Sequence, residues 1–232
     1  MSMIKEELKL PRYLNLLSMI YAVIFISSVV MAHKIILLSD NIVISVSAFI
    51  IPITYVFLDA IAEVYGYDAA RKIIWSTLFC ELIFAVICSS LLLLPSPPQI
   101  DNQAAYQIVV GSLLRTFVGS FLGVVSGSFL NIFLISKLKI KYKGGFFILR
   151  CILSSMLGEL IFTIVSICII FIGTMPLVEV LQLIYTSYLV KLIFSVISVF
   201  PVSFLVMYLK RNEATDIYKS GVSFNPFKLE SK

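Results

Sequence analysis

A stripe of chemically capable residues runs along one apolar stretch of this sequence. Pro52, Tyr55, Asp59 and Glu63 recur at spacings of three and four, so their side chains share one face of an α-helix. Pro52 frees a backbone carbonyl and bends a helix, and carboxylates inside an apolar helix are costly. The stripe predicts a wall of a binding site. The alternative is that the two carboxylates extend to an interface or pair with Arg71.

Four further ionisable residues lie inside apolar stretches: Glu81, Arg115, Glu159 and Lys191. Each costs about 3 kcal/mol on membrane-insertion scales, so each indicates function by default. With Asp59 and Glu63 the set is four acidic and two basic, which leaves two carboxylates without a basic partner. These would be protonated, bind a cationic or hydrogen-bond-donating solute, or take part in proton coupling. Structural ion pairing between helices is the alternative for the four.

Glycines repeat at steps of four in the fourth apolar stretch. Gly119, Gly123 and Gly127 predict a helix face that another helix approaches closely. Arg115 lies on the same stripe, so we expect it to face protein rather than lipid.

Motifs of the common enzyme classes do not occur in the sequence. His33 is the one histidine, and no nucleophile elbow, zinc-protease helix or phosphate-binding loop is present. The four cysteines (Cys80, Cys88, Cys151 and Cys168) lie in apolar stretches without metal-ligand spacing, which favours small apolar fillers. We therefore expect no enzyme, no metal and no cofactor. The basic residues are spread over connecting segments, which argues against nucleic-acid binding.

The elements that must position these residues are membrane-spanning helices. Of the 232 residues, 60% are hydrophobic and 13% are charged, and the mean hydropathy is +1.04. Soluble domains carry about a quarter charged residues. Each apolar run reaches the roughly 20 residues that span a bilayer. The runs are Tyr13–Ala32, Asn41–Tyr65, Ile73–Leu94, Ile108–Ser136, Cys151–Ile172 and Leu183–Leu209.

The predicted fold class is all-α, a polytopic membrane protein built as a six-transmembrane-helix bundle. Residues 1–12 form an N-terminal tail, 13–209 the transmembrane domain and 210–232 a C-terminal tail. Gly66 is expected to end the second helix and Asp68 to cap the third. The first run is too long for a signal peptide and is read as a retained span.

Lysines and arginines predict the orientation. With six spans, the basic connecting segments fall on one side and the other side holds only Lys34. The positive-inside rule then places both termini in the cytoplasm.

The stretch from Pro52 to Trp75, including Asp59-Ala-Ile-Ala-Glu63-Val-Tyr65-Gly66 and Arg71, resembles the hallmark of the queuosine precursor transporter family. That family is also described as vitamin uptake transporters. Later signals are similar too. They are Arg115 with Gly119-Ser120, Arg150 with Ser154-Ser155 and Gly158-Glu159, and Tyr188 and Lys191 followed by Pro201.

The resemblance implies a six-span protein of the bacterial inner membrane that imports a 7-deazaguanine base, such as preQ0, preQ1 or queuine, for tRNA modification. Two residues depart from the family pattern. Phe162 precedes Thr163 where an aspartate is usual, and Asn131 also replaces an aspartate. The alternative function is a substrate-binding membrane subunit of an energy-coupling vitamin or nucleobase uptake complex.

The predicted site lies between the second, fifth and sixth spans. A carboxylate accepts the adjacent N–H donors of a guanine-like edge, and an aromatic ring stacks on the base. The candidate substrate-binding residues are Asp59, Glu63, Tyr55, Glu159, Arg115, Lys191 and Trp75. The expected partners are the base and the lipid bilayer, with a homo-oligomer left open.

Overall fold

A computed structural model describes residues 11–39, 42–95, 97, 103–213 and 224–227 of the chain. This part holds helices α1 to α8, one π-helical turn and a two-stranded hairpin. Their bounds are α1 Leu14–Val30, β1 Ile35–Ser39, β2 Ile42–Ser45, α2 Ser47–Tyr65, α3 Tyr67–Leu91, α4 Gln103–Val110, α5 Leu113–Gly123, the π-helical turn Val124–Ser128, α6 Phe129–Lys141, α7 Phe147–Phe171 and α8 Leu177–Glu213.

The described helices make six apolar segments. Five are long and apolar enough to cross a membrane, and one of these is the composite Gln103–Lys141 that contains α4, α5, the π-helical turn and α6. The sixth segment is α1, which has 17 residues and a length of about 26 Å. That length lies at the lower limit for a span. The predicted all-α multi-pass membrane architecture is confirmed.

The junction between α2 and α3 is a single glycine. Gly66 has φ 83°, a left-handed conformation that glycine adopts without steric cost, and it ends α2 as predicted. The prediction that Asp68 caps the third helix is wrong. Helix α3 already begins at Tyr67, and Asp68 lies in its first turn, where it pairs with Arg71 at 2.7 Å.

The second span was predicted to begin at Asn41, but α2 begins at Ser47. Ile42–Ser45 form strand β2, which pairs antiparallel with β1 so that Ile35 lies opposite Ser45 and Ile36 opposite Ile44. β-branched side chains favour this pleated pairing over a helix. The hairpin lies before α2, and the end of the bundle that carries it is called the hairpin end below.

The glycine stripe of α5 and the π-helical turn packs against α7, as predicted. A Cβ atom on Gly127 would lie 2.4 Å from the carbonyl oxygen of Gly158 and 2.7 Å from Cβ of Phe162. Arg115 faces protein as expected, although much of its side chain is exposed. Its guanidinium donates to the carbonyls of Ile169 and Ile172 at the end of α7.

The opposite end of the bundle is called the basic end. Here α2 stops at Gly66, α3 begins, α6 ends and α7 begins. Helix α8 continues to Glu213, four residues past the predicted limit of the transmembrane domain.

Candidate functional site

A cavity at the hairpin end is enclosed by α1, the start of α2, α5, α7 and α8. About 490 Å³ of space lies between its walls, a figure that includes solvent at the open mouth. Seven hydroxyl side chains and one lysine supply its polar lining, and apolar side chains supply the rest. The polar lining residues are Ser28, Ser45, Ser47, Thr116, Ser120, Ser166, Ser187 and Lys191.

Lys191 is the ionisable residue of the cavity wall. Its side chain is 3% exposed, and its ammonium group donates to Oγ1 of Thr163 at 2.8 Å. The same group lies 4.9 Å from the ring centroid of Phe162, a distance typical of a cation–π contact. Because a buried ammonium needs compensation, Thr163 and Phe162 hold Lys191 in place between α7 and α8.

Glu159 lies one helical turn from Thr163 on α7. It is fully buried, and its Oε1 accepts from the hydroxyl of Ser195 at 2.7 Å. Its Oε2 is buried without a hydrogen-bond partner among the described residues. A buried carboxylate oxygen without a donor is costly, so this atom indicates a place for a donor that the chain does not provide.

Glu81 repeats this pattern on the other side of the cavity. It is fully buried in α3, and one of its oxygens accepts from the hydroxyl of Ser120, a residue of the cavity wall. Its other oxygen also lacks a partner within the described ranges. Ser187, which lines the cavity, adds a third buried polar group of this kind, because its hydroxyl has no partner in the part of the chain that the structure describes.

His33 lies at the rim of the cavity, outside the spanning segments. Its Nε2 is 2.8 Å from Oγ1 of Thr116. Partial burial, with a smaller contribution from the charge of Arg115, lowers the pKa of His33. The rim is therefore neutral at this residue near pH 7.

Tyr55 and Asp59 lie on α2, further from the hairpin end than the residues that line the cavity. The ring of Tyr55 contacts that of Phe162 edge to face, with centroids 6.4 Å apart. Asp59 accepts three neutral donors: Nδ2 of Asn131 at 2.8 Å, Oγ of Ser155 at 2.8 Å and Sγ of Cys151 at 2.9 Å. Asp59 is thus held by hydrogen bonds rather than by a cation.

Glu63 lies at the basic end inside a group of cations. Its carboxylate is 3.0 Å from Nη1 of Arg150, 2.9 Å from Nζ of Lys210 and 3.9 Å from Nζ of Lys139. Lys139 also donates to the Glu63 backbone carbonyl. Glu63 and Arg150 are each 1% exposed, so they form a buried ion pair. The alternative pairing of Glu63 with Arg71 is wrong, because Arg71 pairs with Asp68.

The structure divides the seven predicted site residues into separate groups. Lys191 lines the hairpin-end cavity, and Tyr55 and Glu159 lie next to it, with Asp59 one turn further along α2. Glu63 belongs to the ion network of the basic end. Arg115 caps α7 at the surface, and Trp75 donates to a backbone carbonyl near the C-terminus. Among the described residues, no ion pair within 4 Å joins Arg115, Lys191, Glu81 and Glu159 to one another, although the charges of Lys191 and Glu159 act on each other.

Sequence reasoning missed several residues that complete these groups. Arg150 and Lys139 were assigned to connecting segments, yet both are buried beside Glu63. Cys151, expected to be an apolar filler, donates to Asp59. The family resemblance had already grouped Arg150 with Ser154 and Ser155, and this grouping pointed to the region. Ser155 also donates to Asp59.

The fold and the site together define a class of protein. An apolar multi-pass bundle that encloses a polar cavity with buried ionisable groups is the architecture of a small-solute transporter. The sequence profile of the family described as "Putative vitamin uptake transporter" matches residues 45–206. The chain belongs to this family. The match runs from the end of β2 almost to the end of α8. No curated protein and no solved structure matched the chain.

Proposed function

We propose that this chain imports a queuosine precursor, a 7-deazaguanine base, through the hairpin-end cavity. The observation that carries the proposal is the pair of buried carboxylates beside that cavity. Glu159 and Glu81 each have one oxygen held by a serine and one oxygen without a partner in the described part of the chain. A ligand that brings N–H donors would satisfy both.

A 7-deazaguanine base supplies the complementary groups. Its adjacent N–H donors suit a carboxylate, as in other bidentate pairs. Its ring carbonyl would accept from Lys191, and its flat face would lie against Phe162, because base–aromatic stacking contributes about 1–3 kcal/mol. The site would therefore combine Glu159, Lys191 and Phe162 from the two helices that close it, with Glu81 opposite.

The cavity is narrow in this conformation. Only about 40 Å³ admits the centre of a water-sized sphere, which is room for a few waters and less than a bicyclic base requires. Helices on opposite walls must move apart to admit the base. This requirement fits a transporter that alternates between states rather than an open channel.

The proposed orientation in the membrane rests on the placement of charge. The hairpin end would face the outside of a bacterial inner membrane and the basic end the cytoplasm, since the positive-inside rule assigns lysine-rich ends to the cytoplasm. Lys137, Lys139, Lys141 and Lys143 follow one another at the basic end.

The proposal is tested in a host that cannot make the precursor. With the wild-type chain and added precursor, queuosine should appear in tRNA. Glu159→Gln should abolish it, because an amide replaces the carboxylate that accepts the base. Glu179→Gln is the matched control, since Glu179 is exposed near the start of α8. The amount of folded protein in the membrane is measured for each. A wild-type level of queuosine in tRNA with Glu159→Gln would contradict the site assignment. No queuosine with the wild-type chain would contradict the proposed substrate.

Reconstitution separates transport by this chain alone from the alternative of a subunit in an energy-coupling complex. Purified protein in liposomes should accumulate labelled 7-deazaguanine without an added ATPase. Uptake that requires partner subunits would replace the proposal with that alternative. A second series, with and without a pH gradient, tests whether protons drive uptake.

A further inference from the structure

A second group of donors lies at the basic end, on a face of α3 that the cavity does not use. Tyr67, Arg71 and Trp75 are spaced four residues apart, so they line one side of the helix. We call these three residues the α3 donor face. Each carries an N–H or O–H group, and the three span about 12 Å along the helix axis.

A segment from the end of the chain occupies this face. Three consecutive backbone carbonyls accept from it: Phe224 from the Tyr67 hydroxyl at 3.1 Å, Asn225 from Nη1 of Arg71 at 2.7 Å, and Pro226 from Nε1 of Trp75 at 2.8 Å. We call Phe224–Phe227 the tail segment. The donors bind backbone carbonyl oxygens, which a residue of any type supplies. These hydrogen bonds therefore do not depend on the side chains of the tail segment.

Aromatic rings form the walls of the same groove. The ring of Phe224 lies edge to face between Tyr67 and Phe133, with both centroid distances 5.3 Å. The ring of Phe227 lies 5.8 Å from that of Trp75. The groove thus holds flat rings with carbonyl acceptors beside them, and a 7-deazaguanine base combines a flat ring with one such carbonyl.

The tail segment is held more weakly than a spanning helix. Phe227 is 67% exposed, and the segment belongs to neither a helix nor the hairpin. Three hydrogen bonds to its backbone carbonyls and the contacts of its two rings hold it in place. A ligand that offered the same acceptors and a larger stacking surface would compete with it.

We propose that the α3 donor face is a second ligand site, for a planar heteroaromatic ring that carries a carbonyl, and that the tail segment is its internal competitor. The substrate class rests on the proposed function. The two sites would bind opposite edges of the same base through hydrogen bonds. The hairpin-end cavity offers carboxylate acceptors to its N–H groups, and the α3 donor face offers donors to its carbonyl. Displacement of the tail segment would accompany release at the basic end.

Trp75 reports on this site directly because it is the only tryptophan in the sequence. The full-length chain is purified, and its emission is compared with that of the double variant Phe224→Ala, Phe227→Ala. Loss of the two rings should shift the emission to longer wavelength and increase quenching by acrylamide. Phe204→Ala is the control, since it removes a phenylalanine that is 68% exposed on α8. Thermal unfolding checks that each variant is folded.

Titration with 7-deazaguanine then tests the competition. The double variant should reach half-maximal quenching of Trp75 at about a tenfold lower concentration, the gain expected if the tail segment leaves the site free about a tenth of the time. Adding Tyr67→Phe to the double variant should weaken the response, and adding Tyr142→Phe should not. Equal concentration dependence with and without the tail rings, or no response of Trp75 in the double variant, would overturn the proposal.

The outcome is independent of the transport assay. A chain that imports the base but shows no response of Trp75 in the double variant keeps the proposed function and loses the second site. A chain whose Trp75 responds to the base, but which imports none, keeps the second site and loses the proposed function.

Discussion

Glu63 and Glu159 are both buried glutamates on spanning helices, but their surroundings differ in kind. Glu63, at the basic end, has cationic groups of Arg150, Lys210 and Lys139 within 4 Å. Glu159, beside the hairpin-end cavity, accepts from one serine hydroxyl, and its other oxygen has no partner among the described residues. A charge enclosed by opposite charges is already compensated and has little capacity for a ligand, whereas a half-satisfied carboxylate has that capacity.

Asp59 lies between these extremes on the same helix as Glu63. Its three donors are neutral, and together they occupy both of its oxygens. It therefore joins α2 to α6 and α7 without a cation. Along the bundle, the carboxylates thus change from one surrounded by cations at the basic end to one held by a single hydroxyl beside the hairpin-end cavity, where we propose that the ligand binds.

The largest effect is expected from Glu63→Gln. Arg150 would remain buried with its main counterion replaced by a neutral amide, and breaking a buried pair costs about 3–5 kcal/mol. We expect most of the folded protein to be lost, measured as monodisperse protein after detergent extraction and as the midpoint of thermal unfolding. Glu179→Gln is the control. A variant of Glu63 that folds normally but fails to transport would reverse the comparison and make Glu63 a ligand residue.

Glu159→Gln should have the opposite profile. Its hydrogen bond from Ser195 can be kept by the amide oxygen, so the unfolding midpoint should change little. Uptake in liposomes should fall about tenfold or more, because a hydrogen bond to a charged group contributes about 1.5–3 kcal/mol. Ser195→Ala should reduce uptake less, since it leaves the carboxylate in place. Equal losses of stability and uptake in Glu159→Gln would argue for a structural role.

Asp59→Asn should fall between the two. An amide nitrogen would face at least one of the donors Asn131, Ser155 and Cys151, so one hydrogen bond is lost and two donors oppose each other. We expect a loss of about 1–3 kcal/mol in unfolding measurements, with reduced uptake that follows the loss of folded protein. Cys151→Ala is the milder comparison, because it removes a weak donor only. Normal stability with abolished uptake would move Asp59 into the substrate site.

The smallest effect is expected from Arg115→Gln. The guanidinium caps the last carbonyls of α7 at an exposed position, and a charge at a helix C-terminus contributes about 1 kcal/mol or less. Uptake should stay near the wild-type level, with at most a small decrease in the unfolding midpoint. A large loss of uptake would return Arg115 to the substrate site where the sequence motif had placed it.

Much of the fold was predictable because its signals are local. Six apolar runs of spanning length reflect the thickness of the bilayer, which every helix meets independently. The end of α2 at Gly66 reflects the conformational freedom of one residue. The close contact of α5 with α7 follows from the spacing of small residues. The hairpin was missed because Ile42–Ser45 is as apolar as the helix that follows it, and hydropathy does not distinguish a short strand from a helical turn.

The sequence by itself determined which residues carry buried charge, but the partners of those residues were decided only by the tertiary structure. Glu63 is paired with Arg150 because the start of α7 lies against the end of α2. On α8, Ser195 donates to Glu159, whereas Lys191 donates to Thr163. Hydropathy and periodicity describe one helix at a time. Which groups meet depends on the rotation and depth of neighbouring helices, and these are set by packing over the whole bundle.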